Sequence, residues 1–445
     1  MKLSTRPFFT LAVLGTAACN PGAFDSLLDR APVVDFGTPG ASTGAVVALA
    51  LPPPADANSQ VAARMLVSRK DDRYLAAADF AKNGKVTLRE AADRSNMGPD
   101  STAGVRSLAR LANGTVIVGM PGFVLSGAPV GRISFVTLQA QADGGLALAI
   151  APPTNGPVET NHYGIAVATG NISGASASES VVVADEIVDV LDSNGILMAR
   201  TACGEVQMNA PATRNTFRPI AVGDLLTGGG DEIVLGGQAN GQGPGRVVFL
   251  QYDGSPNLVC SPGNKLLVHG ASTGFGASLA IDDFNGDGKL DLAVGAPPDQ
   301  VHIYFGPLDN VVDPSVTISG AASSTGFGQR IAAYHVPGQA AAQLLVADPS
   351  ATVGQRIGGG AVMLFNISGM PSSLPAAAAI ATLFDSSDDV QPGVFAMNLG
   401  AVPFNTGTCQ AGGATQLVPW ASSGTQILTY FAYPSGAADP RCFGK

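Results

Sequence analysis

The amino-acid sequence predicts an all-β fold built from one structural unit that recurs along most of the chain. Aromatic or apolar anchor residues recur 52 to 58 residues apart. Each anchor precedes a short apolar strand, a polar turn and a second apolar strand. The composition agrees, because 46% hydrophobic and 13% charged residues, with 56 Gly and 31 Pro, indicate buried strands joined by many turns. The anchors are Val105, Tyr163, Phe217, Phe275 and Phe327.

The strands that follow each anchor define the unit. The second strands read TVIVGMP, SVVVADE, EIVLGGQ, LDLAVGAP and QLLVADP, and the third strands read GRISFVTL, ILMAR, GRVVFLQYDG, VHIYFG and GAVMLFNIS. Three or four strands at this period are typical of a β-propeller blade. One blade cannot bury both faces of its sheet, whereas a ring of blades can, and the ring leaves only short edges.

Two less regular segments complete the predicted ring. Residues 62–91 contain MLVS, YLAAADF and KVTL, and residues 393–434 contain VFAMNL, TQLVPWAS and TQILTYFAYP. Adding them to the five clear units predicts a seven-bladed propeller over residues 32–445. The Ala-rich stretch 373–384 is interpreted as a loop plus an outer strand, and Trp420 as a core residue. The predicted blades are 62–100, 101–157, 158–212, 213–269, 270–320, 321–385 and 386–440, with residues 44–51 as an N-terminal closing strand of the last blade.

One turn of the fifth unit carries metal-binding chemistry. Asp283, Asn285 and Asp287 alternate, and Gly288 and Asp291 follow. Short oxygen-bearing side chains at this spacing suit Ca²⁺, which takes six to eight oxygen ligands. The start resembles an EF-hand loop, but Val294 replaces the bidentate Glu of loop position twelve and continues as a strand.

The flanks of this turn resemble a known repeat. GFG before the first strand, DFNGDGKLD in the loop and VGAP after the second strand are similar to the FG-GAP repeat of the integrin α-subunit β-propeller, which also occurs in bacterial surface proteins. The resemblance implies one structural Ca²⁺, since Mg²⁺ prefers fewer protein ligands. The implied ligands are the side chains of Asp283, Asn285, Asp287 and Asp291 and the backbone carbonyl of Lys289.

The corresponding turns of other units lack the ligand pattern. VGDLLTGGGDEIVLGG keeps Asp224 and Asp231, but Leu226 and Gly228 occupy the middle positions. We therefore expect a single cation site. Integrin α propellers keep several such loops, so this departure argues against a calcium-regulated role.

The N-terminus has the pattern of an export signal. Residues 1–18 combine the basic Lys2 and Arg6 with an apolar stretch at Phe8–Leu14 and small residues before Cys19. No later segment is long and apolar enough to predict a membrane-spanning helix.

The junction at Cys19 resembles a bacterial lipobox. It implies a lipidated Cys19, a tether over 19–31 and an outer-membrane lipoprotein of the bacterial cell envelope, so that the membrane is contacted only through the lipid. Thr16 departs from the usual Leu. Ordinary cleavage after Ala18, giving a secreted protein, is the alternative.

Four cysteines remain in the exported chain. An even number in an oxidising compartment favours two disulfides. Cys409 and Cys442 both belong to the last unit and are predicted to pair, which leaves Cys203 with Cys260. Four buried thiols are the alternative.

Charge and motifs narrow the function classes. A net charge of -10 and a pI of about 4.8 disfavour nucleic acid as a partner. The two G-x-S-x-G runs lack the helix that a nucleophile elbow needs, and the four His are scattered. We predict a non-enzymatic, calcium-stabilised binding or adhesion module for an envelope or extracellular protein or glycan. The alternatives are a propeller-based hydrolase or lyase of extracellular glycans or esters, and a structural lipoprotein without a specific ligand.

Overall fold

The computed structural model describes twenty stretches of the chain. These are residues 33–35, 46–51, 61–69, 75–81, 86–90, 104–140, 146–157, 161–175, 178–185, 187–201, 219–238, 245–260, 266–268, 274–311, 313–335, 339–353, 357–384, 395–405, 415–423 and 426–429. Among them no helix is long and apolar enough to cross a bilayer.

The described strands form seven sheets. Six of them, here called blades 1 to 6, follow one another along the chain and share an antiparallel order. Blade 1 contains β2 (Val46–Leu51), β3 (Val61–Arg69), β4 (Ala76–Ala81) and β5 (Val86–Glu90). Blade 2 contains β6 (Ser107–Arg110), β7 (Val116–Met120) and β8 (Arg132–Ala140), with β9 (Leu146–Ile150) and β10 (Thr154–Asn155) both on β8. Blade 3 contains β11 (Ala166–Gly170), β12 (Glu179–Val183), β13 (Val188–Leu191) and β14 (Leu197–Thr201).

Blades 4 to 6 repeat this pattern, except that one strand from the segment of blade 6 pairs with blade 5. Blade 4 contains β15 (Ile220–Gly223), β16 (Glu232–Gln238) and β17 (Gly245–Gln251), with β18 (Val259–Cys260) and β19 (Leu266–Val268) both on β17. Blade 5 contains β20 (Ser278–Asp282), β21 (Asp291–Ala296), β22 (Gln300–Tyr304) and β23 (Val316–Ser319). Blade 6 contains β24 (Arg330–Tyr334), β25 (Gln343–Asp348), β26 (Ala361–Asn366) and β28 (Ala381–Leu383), and its β27 (Ser373–Pro375) adds in parallel to β23 of blade 5.

The Ala-rich segment follows its predicted form. A single 3₁₀ turn spans Ala376–Ala378 between β27 and β28. The outer strand β28 pairs with β26, which confirms the outer-strand interpretation of this stretch.

The seventh sheet joins the two ends of the chain and is here called the terminal sheet. It contains β29 (Phe395–Asn405), β30 (Thr415–Ser423), β31 (Gln426–Thr429) and β1 (Val33–Asp35), in the order β1-β31-β30-β29. Its β29 and β30 have 11 and 9 residues, longer than most strands of the blades. Trp420 of β30 is 5% exposed, which confirms its place in the core.

The first strands of the sheets meet at the centre of the fold. The innermost strands contact one another in the circular order β6, β11, β15, β20, β24, β29 and β2, and β2 contacts β6 again. The sheets are therefore arranged radially, and the prediction of an all-β propeller is confirmed. Six sheets have the repeated blade form, so the described strands show six blades and not the predicted seven. The terminal sheet differs from them because it combines strands from both ends of the sequence.

The prediction that residues 44–51 form the closing strand of the last blade is wrong. Val46–Leu51 is the innermost strand of blade 1 and pairs with β3 along its whole length, so blade 1 begins at Val46 and not at residue 62. The N-terminal strand that reaches the last sheet is Val33–Asp35, with Val34 opposite Ile427. Inner and outer strands of a propeller are both short and apolar, and the run at 44–51 could not be assigned to either position by its composition.

The hydrophobic core lies between neighbouring sheets. Phe284, Phe327 and Phe365 are buried with the facing strands of blades 5 and 6, and the rings of Phe327 and Phe365 meet edge to face at 6.3 Å. Comparable clusters fill the spaces between the other neighbouring pairs, from blades 1 and 2 to blade 6 and the terminal sheet. Because each blade is covered on both faces, its central strands are apolar on both sides. Burying one such aromatic side chain contributes roughly 1.5–3 kcal/mol.

Glycines allow neighbouring blades to approach at the backbone. A Cβ on Gly295 of blade 5 would overlap the carbonyl oxygen of Gly328 of blade 6, and Gly119 of blade 2 stands in the same relation to Gly164 of blade 3. The hydroxyl of Ser278 donates to the Gly328 carbonyl at 2.8 Å, and Ser107 makes the equivalent bond to Gly164 at 2.9 Å. At the contact between blades 5 and 6, the Gly of the GAP sequence thus packs against the second Gly of the next GFG sequence.

Candidate metal centre

The predicted cation loop joins the two inner strands of blade 5. It spans residues 283–290, directly between the end of β20 and the start of β21. Gly286 and Gly288 have φ angles of 85° and 83°, in the left-handed region that disfavours other residues. The two glycines curl the loop so that its polar side chains turn back onto its own amides.

Asp283 organises the centre of the loop. Its Oδ1 accepts the backbone N–H groups of Gly286 at 2.6 Å and Asp287 at 3.1 Å, and its Oδ2 accepts that of Gly288 at 2.7 Å. Three charge-assisted bonds hold the carboxylate in place.

Asn285 and Asp287 lie on the exposed side of the loop. The Asn285 Oδ1 accepts the Asp287 N–H at 2.8 Å, and the Asn285 Nδ2 donates to the Asp287 Oδ2 at 3.1 Å. The Asp287 Oδ1 accepts the N–H of Lys289 at 2.9 Å. Each oxygen has a second lone pair that these bonds do not use.

Asp291 is the buried member of the set, with no exposed surface. Its Oδ2 accepts the N–H groups of Phe284 at 2.8 Å and Asn285 at 3.2 Å, and its Oδ1 accepts that of Gly306 at 2.9 Å. Burial nevertheless raises its pKa to about 6, because desolvation of the carboxylate outweighs the three amide bonds.

Blade 6 holds the loop from its neighbouring side. The Ala342 N–H donates to the Asp283 carbonyl at 2.7 Å, and the Ser368 hydroxyl donates to the Asn285 carbonyl at 2.9 Å. His335 contacts Asp282 through Nδ1 at 3.1 Å, and this hydrogen bond raises the pKa of the imidazole. These partners were not identified from the sequence because they come from the next unit of the chain.

The donor set has the chemistry that a hard cation requires. Three carboxylates and an amide oxygen lie within nine residues, against the single positive charge of Lys289. Each side chain has at least one lone pair that these hydrogen bonds do not use, although Asp283 Oδ1 and Asp291 Oδ2 already accept two bonds each. Within the described residues, however, no three His, Cys, Asp or Glu side chains are close enough together to hold a metal ion. The residues fit Ca²⁺ by type and order, and the ion itself stays a prediction.

Of the predicted cysteine sites, only Cys260 lies in the described part of the chain. Cys260 is disulfide-bonded, and its Sγ lies 3.3 Å from the Thr201 hydroxyl at the end of blade 3. Cys19, Cys203, Cys409 and Cys442, the signal segment 1–18 and the tether 19–31 lie outside the described residues.

The family assignment follows from the loop and its flanks. Residues 275–304 match the FG-GAP repeat family, and they span Phe275, the loop 283–290 and the strands β20, β21 and β22. The chain is a β-propeller that contains an FG-GAP repeat. The integrin-like resemblance inferred from the sequence is confirmed at this level.

Two curated relatives are similar to part of this propeller. Phosphatidylinositol-glycan-specific phospholipase D of Bos taurus is 31% identical over 155 residues, and that of Mus musculus is 30% identical over 153 residues. The matches cover 29% and 30% of this chain but only 18% of either relative. Because these relatives are named as an enzyme, the comparison does not support the prediction of a non-enzymatic protein.

Solved propeller-like structures cover most of the chain at low identity. The structure of BBS1N in complex with ARL6DN is 14% identical, with a TM-score of 0.49 over 92% of this chain and 100% of that chain. The structure of the Dos1 propeller is 9% identical, with a TM-score of 0.43 over 90% of this chain and 94% of that chain. The fold assignment here depends on the sheets and contacts described above.

Proposed function

We propose that this FG-GAP propeller is a calcium-stabilised binding and adhesion module of the bacterial cell envelope, with a protein or glycan as its ligand. The observation that carries the proposal is a loop surface across blades 3 to 6 whose loops are joined to one another by hydrogen bonds. A binding module needs such a surface, because the loops of several blades must keep fixed positions relative to one another.

Direct hydrogen bonds join these loops from blade to blade. Asn171 of blade 3 and Asp231 of blade 4 exchange two bonds, of 2.7 and 2.9 Å. The Leu308 N–H of blade 5 donates to the Leu225 carbonyl of blade 4 at 2.7 Å, and blade 6 bonds blade 5 through Ala342 and Asp283 at 2.7 Å. The joined loops support a preorganised binding face, since a ligand would pay little ordering entropy there.

Calcium would hold one part of this face. In the proposal, Asp283, Asn285, Asp287 and Asp291 supply side-chain oxygens and Lys289 supplies its carbonyl. The ion supplies positive charge among carboxylates that now repel one another, and its role is structural.

The terminal sheet is proposed as a seventh blade. Its β29 contacts β24 of blade 6 on one side and β2 and β3 of blade 1 on the other, which is where a ring requires a blade. Closure by β1 ties both chain ends into one sheet, so neither end can separate without breaking that sheet.

Export and covalent attachment complete the proposal. Cys19 would carry a lipid anchor at the bacterial outer membrane, and cleavage after Ala18 would instead release a secreted protein. Cys203 is proposed as the partner of Cys260, since Thr201 already lies beside the Cys260 sulfur. The Cys409–Cys442 pairing stays a prediction. Peptide mapping under non-reducing conditions checks both pairs.

A pull-down tests the binding role. The full chain is immobilised and incubated with envelope extract in two parallel samples, one in calcium buffer and one in EDTA buffer. The Asp287→Asn variant is treated in the same way as the matched control. Saturable capture of the same protein or glycan by wild type from independent extracts is the expected result, with weaker capture in EDTA and by the variant. Capture of nothing above an unrelated propeller would refute a binding module and favour a structural lipoprotein.

A hydrolase is the second candidate, and the partial similarity to phosphatidylinositol-glycan-specific phospholipase D favours it. Purified protein would be incubated with a phosphatidylinositol-glycan substrate and with extracellular glycan and ester substrates. Turnover that survives removal of contaminating enzymes, and that scales with protein concentration, would replace the non-enzymatic proposal.

A further inference from the structure

The acid that opens the second strand of a blade recurs in three consecutive blades. In blade 5, Asp291 accepts the N–H groups of Phe284 and Asn285, seven and six residues before it. In blade 4, Glu232 accepts the N–H groups of Leu225 at 2.9 Å and Leu226 at 3.0 Å, again seven and six residues before it.

Blade 3 contains the third copy. Glu179 accepts the N–H groups of Ile172 at 2.9 Å and Ser173 at 3.4 Å, at the same two offsets. It also accepts the Ser173 hydroxyl at 2.7 Å. All three acids are the first residues of their strands, β12, β16 and β21, and none is more than 2% exposed.

The cation pattern does not accompany these bonds. Blade 4 has Leu226 and Gly228 where blade 5 has Asn285 and Asp287, and blade 3 has Ser173 and Ala175 there. The acid therefore makes the same two bonds whether or not the loop has oxygen ligands at its middle positions.

We infer that Glu179, Glu232 and Asp291 form a repeated, cation-independent clamp that fixes the turn between the first two strands of a blade. The carboxylate satisfies two N–H groups that the turn leaves without a strand partner, the first buried and the second buried or half-buried, and leaving such donors unpaired is costly. Asp291 is thus a positioning residue for the loop, whatever further bond it makes to a bound ion. The clamp needs no calcium, so the inference goes beyond the proposed function and stands without it.

Acids of two different lengths make the same clamp bonds. In blades 3 and 4 a Glu reaches the two amides, and in blade 5 the shorter Asp reaches them and also accepts the Gly306 N–H at 2.9 Å. The shared element is the pair of amides at fixed offsets, and not the identity of the acid.

Thermal unfolding of matched variants in EGTA tests the clamp. Asp291→Asn, Glu232→Gln and Glu179→Gln each keep one acceptor oxygen for the two amides but remove the negative charge that strengthens both bonds. The new N–H₂ group faces the former partner of the second oxygen, which is the Gly306 N–H, the Gln251 Nε2 and the Ser173 hydroxyl, respectively. Each should lower the melting temperature in EGTA by about 2–3 °C, which corresponds to losing hydrogen bonds to a buried charged group in a chain of this size. The comparison variant Asp287→Asn should lower the melting temperature in EGTA by less than these variants do, because the bonds of Asp287 to Lys289 and Asn285 are exposed to solvent.

The calcium arm separates the clamp from the proposed ion. Addition of Ca²⁺ should raise the melting temperature of wild type and of Glu232→Gln, but not that of Asp287→Asn. If Ca²⁺ shifts no variant, the calcium proposal fails while the EGTA arm still measures the clamp. If Asp291→Asn melts at a lower temperature in EGTA and its melting temperature no longer rises with Ca²⁺, Asp291 is both a clamp residue and a ligand of the ion.

Hydrogen exchange provides a measurement that does not depend on global stability. The amides of Leu225 and Leu226 should lose protection in Glu232→Gln while those of blade 6 keep it. Asp291→Asn and Glu232→Gln variants with wild-type melting temperatures in EGTA and unchanged amide protection would overturn the inference.

Discussion

Replacing Gly295 by Ala tests the close approach between blades 5 and 6. The added Cβ would overlap the Gly328 carbonyl oxygen and the Ser278 hydroxyl. Neither atom can move freely. The Gly328 residue has φ of 81° and its N–H donates to the Ala347 carbonyl at 3.0 Å, and Ser278 is 3% exposed.

The expected cost follows from these contacts. Forcing a methyl group into a packed site costs about 1–3 kcal/mol. Displacing the Gly328 carbonyl also weakens its 2.8 Å bond from Ser278, which contributes about 1 kcal/mol. Together they predict a loss of about 2–4 kcal/mol, or a fall in melting temperature of about 2–5 °C for a chain of this size.

Calorimetry with matched variants measures the effect. Gly254→Ala is the control. Gly254 has φ of 91°, and no atom lies within 4 Å of the position that its Cβ would take. Its replacement therefore costs only the strain of the backbone conformation, about 1–2 kcal/mol. Ser278→Ala should cost less in the Gly295→Ala background than in wild type, since it removes one of the two overlapping atoms. A Gly295→Ala protein within about 0.5 kcal/mol of wild type would refute the close approach as the reason for this glycine.

Three other outcomes are expected. Calcium should raise the melting temperature of wild type and not that of Asp287→Asn, and an equal rise in both would exclude the loop as the site. The free energy of unfolding should fall as pH rises from 10 towards 12, because burial raises the pKa of Tyr334 to about 12 while the tyrosine of the unfolded chain ionises near 10. The loss at pH 11 is about 1.4 kcal/mol. Chemical denaturation should show that Tyr334→Phe removes this part of the pH dependence. A chain that begins at residue 37 should unfold at lower denaturant concentration than one that begins at residue 32, since only the first lacks Val33–Asp35; identical midpoints would show that this strand does not stabilise the ring.

The repeated parts of the fold were predictable because each signal is local. Phe275 and Phe327 precede equivalent strands and are both buried, and the Asp and Gly spacing of 283–288 marks one turn. The same locality explains the misassigned closing strand. Val33–Asp35 is too short to show a period, and Val46–Leu51 has the same apolar composition as an outer strand.

The candidate site was predictable only within its own unit. The five loop residues follow the family pattern, but His335 and Ser368 reach the loop from blade 6, some 50 to 80 residues later in the chain. The clamp acids were missed for a different reason. Glu179 and Glu232 open strands in turns without other ligands, so each appeared as an isolated acid until its two amide bonds were known.

The clamp and the glycine contacts together indicate how single blades could lose cation ligands without losing the ring. Blade 4 keeps Glu232 for its turn, and its Gly236 keeps the backbone contact with Gly276 of blade 5. Its loop also bonds blade 5 through Thr227 and Asp309. A cation in blade 5 would then act mainly on the joint between blades 5 and 6, where Asp282 and Asp283 meet His335 and Ala342. An effect of chelation on ligand binding, measured while the amide protection of blades 1 to 4 is unchanged, would accordingly place the ligand at that joint.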